Sequence, residues 1–301
     1  MTTAIVAAAS GRRSLFFNKF GGAVAAATAP GGGHHLPGHP IPQIPGMIEE
    51  MMNTQQDGKF RHIRLFIFDL DGTLIDSEQD LALSVNAMLR RMRREPLSQP
   101  VISSYVGQGV TVLVRRALGP SASEAEVEDA AAFFLDYYRG HMLDNTALYP
   151  GAREALEGIE SRQLAVLTNK PIKFTQQILA GLEVDRFFSF VYGGDSFEQK
   201  KPHPVGVLRL MEQTGAATHE TLMIGDSATD VETGRNAGVQ TCGVTYGIGS
   251  PTLASLAPDL VLDDLRELLP LAGAKLPAGP ARDECAPSTL VESNRLLKNS
   301  L

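Results

Sequence analysis

The chain has 301 residues, 43% of them hydrophobic and 20% charged, with 29 Gly and 18 Pro; it can bury a full-sized core and is neither collagen-like nor mainly disordered. A formal charge of -7 and a pI near 5.5 argue against general nucleic-acid or acidic-membrane binding, since a polyanion would be repelled before local contacts formed. Cys242 and Cys285 lie far apart and match no disulfide framework or zinc spacing. No run of about 18 apolar residues offers a membrane span, so a cytoplasmic chain without membrane partners is expected.

Residues 1 to 48 contain no Asp or Glu and are rich in Ala, Gly and Pro, a composition that cannot offset its ordering entropy by burial. Residues 1–60 therefore read as a leader. Arg12-Arg13-Ser14-Leu15-Phe16 faintly resembles a twin-arginine export signal, though Asn18 and Lys19 interrupt the apolar part. Met47, Met51 or Met52 is an alternative start. His34, His35 and His39 have no nearby carboxylate or Cys to complete a metal shell.

From Arg64 the texture changes. Leu65-Phe66-Ile67-Phe68 is a continuous apolar run ending at Asp69, the pattern of a strand buried on both faces. Comparable runs at Leu164 to Leu167, Phe188 to Tyr192, Leu222 to Ile224 and Gly243-Val244 alternate with helical stretches at Pro171 to Gly181, Pro204 to Thr214 and Ala228 to Ala237. That alternation predicts an α/β fold with a doubly wound parallel sheet. Between Glu78 and Asn145 the strand signal is replaced by helical spacing: Leu81, Val85, Met88, Leu89 and Met92, then Val127, Ala131, Phe134 and Tyr138. Ser123 and Glu126 can form a capping box for the latter helix. The expected organisation is a core over 61–80 and 147–270, an inserted all-helical cap over 81–146, and a disordered tail over 271–301 with a short helix near 293–298.

Asp69-Leu70-Asp71-Gly72-Thr73 puts two carboxylates where a buried strand opens into a loop, and ligands of open parallel sheets bind beyond such strand ends. Asp226 and Asp230 follow another apolar strand, so four acids can converge on one rim. Two unit charges ~4 Å apart repel by roughly 4 kcal/mol at an effective dielectric near 20, which calls for a divalent cation; Mg²⁺ suits carboxylates plus a phosphate. Thr168-Asn169, with a hydroxyl and backbone N–H groups before a helix, makes an anion site, and Lys201 can supply a point charge to a phosphoryl oxygen. An aspartate nucleophile, a cation and Thr and Lys clamps form a phosphoryl-transfer kit.

These segments resemble, in order and strand context, the four motifs of the haloacid dehalogenase-like phosphatases over about residues 62 to 265. Within that superfamily the text is most similar to the phosphoglycolate phosphatase family: Phe68-Asp69-Leu70-Asp71-Gly72-Thr73-Leu74-Ile75-Asp76-Ser77, Val106-Gly107-Gln108-Gly109, Tyr149-Pro150-Gly151, Leu167-Thr168-Asn169-Lys170-Pro171, Gly193-Gly194-Asp195, Lys201-Pro202-His203-Pro204 and Tyr246-Gly247. The resemblance implies that Asp69 attacks phosphorus and that Asp71 protonates the leaving alkoxide, then activates water. Thr168 and Lys201 would hold the phosphoryl oxygens. Mg²⁺ would sit on the Asp69 carboxylate, the Asp71 carbonyl and Asp226, with Asp230 orienting Lys201 or metal-bound water. A carboxyl beside like charges can keep a proton, which suits Asp71.

The implied partner is a small phosphorylated metabolite, 2-phosphoglycolate, acted on by a monomer or homodimer. Lys170 is the expected reader of the glycolate carboxylate, with Arg115 or Arg116 of the cap as runner-up and an exposed helix face as their bland alternative. Asp76 and Asp80 read as caps or linker polars, Lys200 as a solvated neighbour and His203 as a packing residue. A sugar phosphatase, a pyrophosphatase or a phosphomutase would keep the same core residues. A receiver-type phospho-switch also combines acid pairs with Thr and Lys, but it would have no use for the insertion.

Overall fold

The computed structural model describes residues 60–273. The leader up to residue 59, with its Arg12-Arg13 string, histidines and candidate start methionines, lies outside the described residues, as do Cys285 and the tail from residue 274.

Six strands form one sheet: β1 (Leu65–Phe68), β4 (Gln163–Leu167), β5 (Phe190–Tyr192), β6 (Thr221–Gly225), β7 (Gln240–Val244) and β8 (Leu260–Leu262). The order is β5-β4-β1-β6-β7-β8 and every pairing is parallel. The first strand is central, because the chain builds outward through β4 and β5 and then returns to β1's other edge with β6. That reversal opens a crevice at the carboxyl ends of β1, β4 and β6.

Alternation along each strand divides the core into two layers. Leu65 and Ile67 pack with Val207 and Leu210 of α7 (Val205–Thr214) and Ala237 of α8 (Ala228–Ala237). Phe66 and Phe68 face the other way, toward Ala155 and Leu156 of α5 (Ala152–Gly158), Ile178 and Leu179 of α6 (Ile172–Gly181) and Leu268 of α9 (Leu268–Leu271). Helices on both faces make the sheet doubly wound, as expected.

Several boundaries differ from expectation. β5 starts at Phe190 because Asp185–Phe187 makes a 3-10 turn, and buried Phe188 instead sets its ring edge-on to Phe68 at 6.3 Å. β7 extends back to Gln240; Thr241 disguised it, and its Oγ1 donates to Asp259 at 2.9 Å. β8 was missed, being only three residues long. Cys242 is buried.

Four helices lie between β1 and β4: α1 (Glu78–Arg91), α2 (Gln99–Ser103), α3 (Val110–Leu118) and α4 (Glu124–His141). Ser123 and Glu126 form the expected capping box of α4. The chain enters and leaves this block through an antiparallel ribbon that was not anticipated, β2 (Ile75–Asp76) against β3 (Ala147–Leu148). Asp80, in the first turn of α1, clasps the returning strand. Its carboxylate accepts from the backbone N–H of Asn145 at 3.0 Å and Thr146 at 2.8 Å, and from both side chains. Asp76 accepts from the Glu78 N–H at 3.1 Å, at the start of α1.

Candidate active site

β1 delivers Asp69 to the rim, and its N–H donates to the Ile224 carbonyl of β6 at 2.9 Å, so the nucleophile candidate is still fixed by the sheet. Beyond it the chain turns at Gly72, where φ is +85° and a Cβ would come within 2.2 Å of an Asp226 carboxylate oxygen. Only glycine meets both demands. The turn lets Thr73 Oγ1 donate to Asp226 at 3.2 Å, and the Gly249 N–H donates to the other Asp226 oxygen at 2.7 Å.

Carboxylate oxygens of Asp69, Asp226 and Asp230 all lie within 4.8 Å of one another, and all three residues are buried. Lys201 is the cation among them, with Nζ 2.8 Å from Asp69 Oδ1 and 2.5 Å from Asp230 Oδ1. Burial acts against the ammonium, but Asp230 and Asp69 outweigh it and hold its pKa above the ordinary lysine value. Burial, with Asp230 adding to it, pushes the Asp69 carboxyl up to about 6 in spite of Lys201. Asp226 rises to about 8, again chiefly by burial and then by Asp230 and Asp69. Asp230 also accepts from Ser227 Oγ at 2.6 Å, capping α8.

Three buried acids against one lysine leave excess negative charge. Asp69 Oδ1, despite its ion pair, has no hydrogen bond of good geometry. An all-oxygen donor set with an unsatisfied buried acceptor fits a hard divalent cation such as Mg²⁺.

Asp71 departs from the expected cluster of four. Its carboxylate takes Lys170 Nζ at 2.8 and 3.0 Å and Ser77 Oγ at 2.6 Å. The like-charge setting expected for Asp71 is thus corrected: the charged group bonded to its carboxylate is the Lys170 ammonium. Lys170 is buried too, and Asp71 and Tyr138 raise its pKa over the opposing effect of burial.

Thr168 directly follows β4, buried, with its Oγ1 accepting from the Lys170 N–H at 3.3 Å. The Asn169 amide is spent on backbone: it donates to the carbonyls of Gly107 and Lys201 at 2.9 and 3.1 Å and accepts from the Lys201 N–H at 3.0 Å. It therefore ties the lysine loop and the Gly107 loop of the inserted helices to the strand end.

The two arginines separate. Arg115, half-buried, is held bidentate by Glu124 at 2.6 Å and lines neither of the cavities described below. Arg116, one residue on, bonds Gln108 at 2.9 Å and lines the mouth of the site. His203 is exposed rather than packed, its Nδ1 accepting from the Val205 N–H at 3.2 Å.

Two cavities adjoin Asp69 and Asp71. One, of about 50 Å³, runs under the inserted helices between Thr168, Lys170, Tyr138, Phe134 and Phe174. The other, of about 300 Å³, is more polar and opens past Ser103, Gln108, Arg116 and Thr229. Sequence reasoning missed Ser77, Thr73 and Gly249 as partners of the acids. Thr73 and Ser77 were visible only as members of the first motif, and nothing local pairs Gly249 with Asp226.

The family model of haloacid dehalogenase-like hydrolases matches residues 66–244. A phosphoglycolate phosphatase of Pseudomonas putida is 43% identical over 217 residues, which span 69% of this chain and 79% of that protein. Phosphoglycolate phosphatase 1 of Pseudomonas aeruginosa is 40% identical over 219 residues, with the same shares of 69% and 79%. Among solved structures, a protein of Haemophilus somnus described as a predicted phosphoglycolate phosphatase superposes with a TM-score of 0.66 at 34% identity, over 69% of this chain and 97% of that one.

Proposed function

The chain belongs to the haloacid dehalogenase-like hydrolases, and on that premise we propose that it is a magnesium-dependent phosphatase of small phosphomonoesters, with 2-phosphoglycolate as its substrate. The relatives that bear the name phosphoglycolate phosphatase support the phosphatase reading. The observation that carries the mechanism is the buried Asp69 oxygen with no hydrogen bond, faced by Lys201 and ringed by acids.

In this reading Asp69 attacks phosphorus, the bond from phosphorus to the ester oxygen breaks, and the leaving alkoxide takes a proton from Asp71. Asp71 then removes a proton from water, which attacks the aspartyl-phosphate and releases phosphate with the Asp69 carboxylate restored. Thr168 and Lys201 hold the phosphoryl oxygens, and Asp230 positions Lys201. Magnesium bound by Asp69, Asp226 and the Asp71 carbonyl would supply positive charge against the crowded carboxylates and the phosphoryl group. The inserted helices narrow access to bulk water.

A second reading, a sugar phosphate as substrate, is favoured by one feature, the larger polar cavity past Arg116. A panel of 2-phosphoglycolate, sugar phosphates, nucleotides and pyrophosphate, assayed with and without magnesium, tests the proposal. The highest kcat/KM is expected for 2-phosphoglycolate, and chelation should abolish turnover. A clear preference for a sugar phosphate or pyrophosphate overturns the substrate assignment, and full activity in chelator overturns the metal.

A further inference from the structure

Tyr138 has a buried hydroxyl that lies beside the Lys170 ammonium without forming a hydrogen bond of good geometry. The residue is 2% exposed, yet its Oη meets no partner in good hydrogen-bond geometry among the described residues. Its ring is held on two sides, stacked on Phe134 at 5.6 Å with 8° between the planes, and tilted against Phe174 of the core at 5.7 Å. Lys170 Nζ stands 4.8 Å from the ring centroid. Native proteins rarely keep a buried polar group unpaired, since it forgoes its bonds to water. An exception beside a reaction centre asks what partner arrives.

The surroundings limit that partner. Tyr138 and Lys170 line the smaller cavity together with Asp69, Asp71 and Thr168, and its other walls include Leu81, Leu113 and Phe134. Its volume of about 50 Å³ holds roughly three to five water-sized groups, the size of a short organic tail and not of a sugar ring. The ammonium of Lys170 has three N–H donors; Asp71 accepts from it at 2.8 and 3.0 Å, and the Tyr138 hydroxyl lies beside it. Burial pushes the phenol up to about 12, against a smaller pull from Lys170, so it stays a donor at neutral pH. A phenol O–H next to an ammonium on apolar walls makes a site for an anionic oxygen, where charge-assisted bonds are strong.

We infer that Tyr138 is a specificity-determining residue whose hydroxyl donates to the carboxylate of the substrate's organic tail, alongside Lys170. The inference rests on the carboxylated-substrate reading above and names the cap group that reads it. The alternative is a purely structural tyrosine, and the two differ in what removal of the oxygen does. Phenylalanine keeps the stacked ring and deletes only an unpaired atom. The ligand-free Tyr138→Phe protein should therefore melt no lower than the wild type.

The test uses the full-length magnesium-loaded enzyme and two substrates of similar length, 2-phosphoglycolate and ethyl phosphate, which lacks the carboxylate. Tyr138→Phe should lower kcat/KM for 2-phosphoglycolate by about 10-fold or more beyond any loss on ethyl phosphate, the size of one hydrogen bond to a charged group. Equal losses on both, or a clear fall in melting temperature, make Tyr138 structural and overturn the inference while the substrate reading stands. A wild type that does not favour 2-phosphoglycolate over ethyl phosphate overturns that reading and the inference with it. A wild type that prefers sugar phosphates and responds to Arg116→Ala rather than Tyr138→Phe places the tail in the larger cavity, and also overturns it.

Discussion

Around Asp69 the strand ends present charge held by charge, whereas the inserted helices turn apolar walls and, among the described residues, one unpartnered hydroxyl toward the same space. The rim groups are fixed by short contacts from several elements: Lys201 by two acids and Asp226 by Thr73 and Gly249. Such fixing keeps the electrostatics organised before a ligand arrives. The helical face is tied to the core by fewer polar links, among them the Asp80 clasp and the bond from Asn169 to Gly107. Division of labour follows from this: reactivity at the strand ends, selection on the helices. The two regions should therefore respond differently to substitution.

The largest effect is expected at the rim. Asp69→Asn should cut kcat at least on the order of a thousandfold on every substrate, because an amide cannot attack phosphorus. Steady-state phosphate release checks this, and a substrate-dependent loss would erase the contrast with the helical face.

Next comes metal binding. Magnesium at about 100 times its dissociation constant stabilises by roughly 2.7 kcal/mol, a melting shift of about 5–10 °C for a folded unit of roughly 200 residues. Asp226→Ala should remove most of that shift, measured by calorimetry with and without the ion. Without metal, pH should act on the same acids. Asp69 and Asp226 titrate higher when folded than unfolded, at about 6 and about 8, so between the ordinary carboxylate range and pH 8 the folded state holds more protons. Their contribution to stability is then lost as pH rises through that window. Melting of the metal-free protein should fall from pH 5 to pH 8, and magnesium should flatten the slope.

On the helical side the effects shrink. Asp80→Ala strips the acceptor from the buried donors of Thr146 and the part-buried N–H of Asn145 and should cost about 1–3 kcal/mol, seen in urea denaturation, with the change in activity confined mainly to KM. Arg115→Ala, at a surface pair away from both cavities, should leave melting temperature and specificity unmoved. A selective loss on 2-phosphoglycolate would return Arg115 to the site.

The same division decided what the sequence could tell. β1, β4 and β6 are buried on both faces, so each is a continuous apolar run whose end marks the rim, and Asp69, Thr168 and Asp226 could be placed there without coordinates. β2, β3 and β8 are two or three residues long and carry no readable period. On α3, adjacent arginines differ by about 100° around the axis, so which of them meets the mouth depends on how the helix docks. Lys170 was legible beside Thr168 and Asn169, but its bond to Asp71 joins segments 99 residues apart. Tyr138 followed the core spacing of α4, and its ring is indeed core. Hydrophobic spacing has no term for a phenolic oxygen at the end of a buried ring.

The most direct test of the central claim is to trap the enzyme during turnover. Borohydride added to magnesium-loaded protein turning over 2-phosphoglycolate reduces an aspartyl-phosphate to homoserine, which peptide mass mapping locates. Conversion confined to position 69 and dependent on substrate is the expected result. No conversion under turnover, or conversion at Asp71, Asp226 or Asp230 instead, would contradict the account.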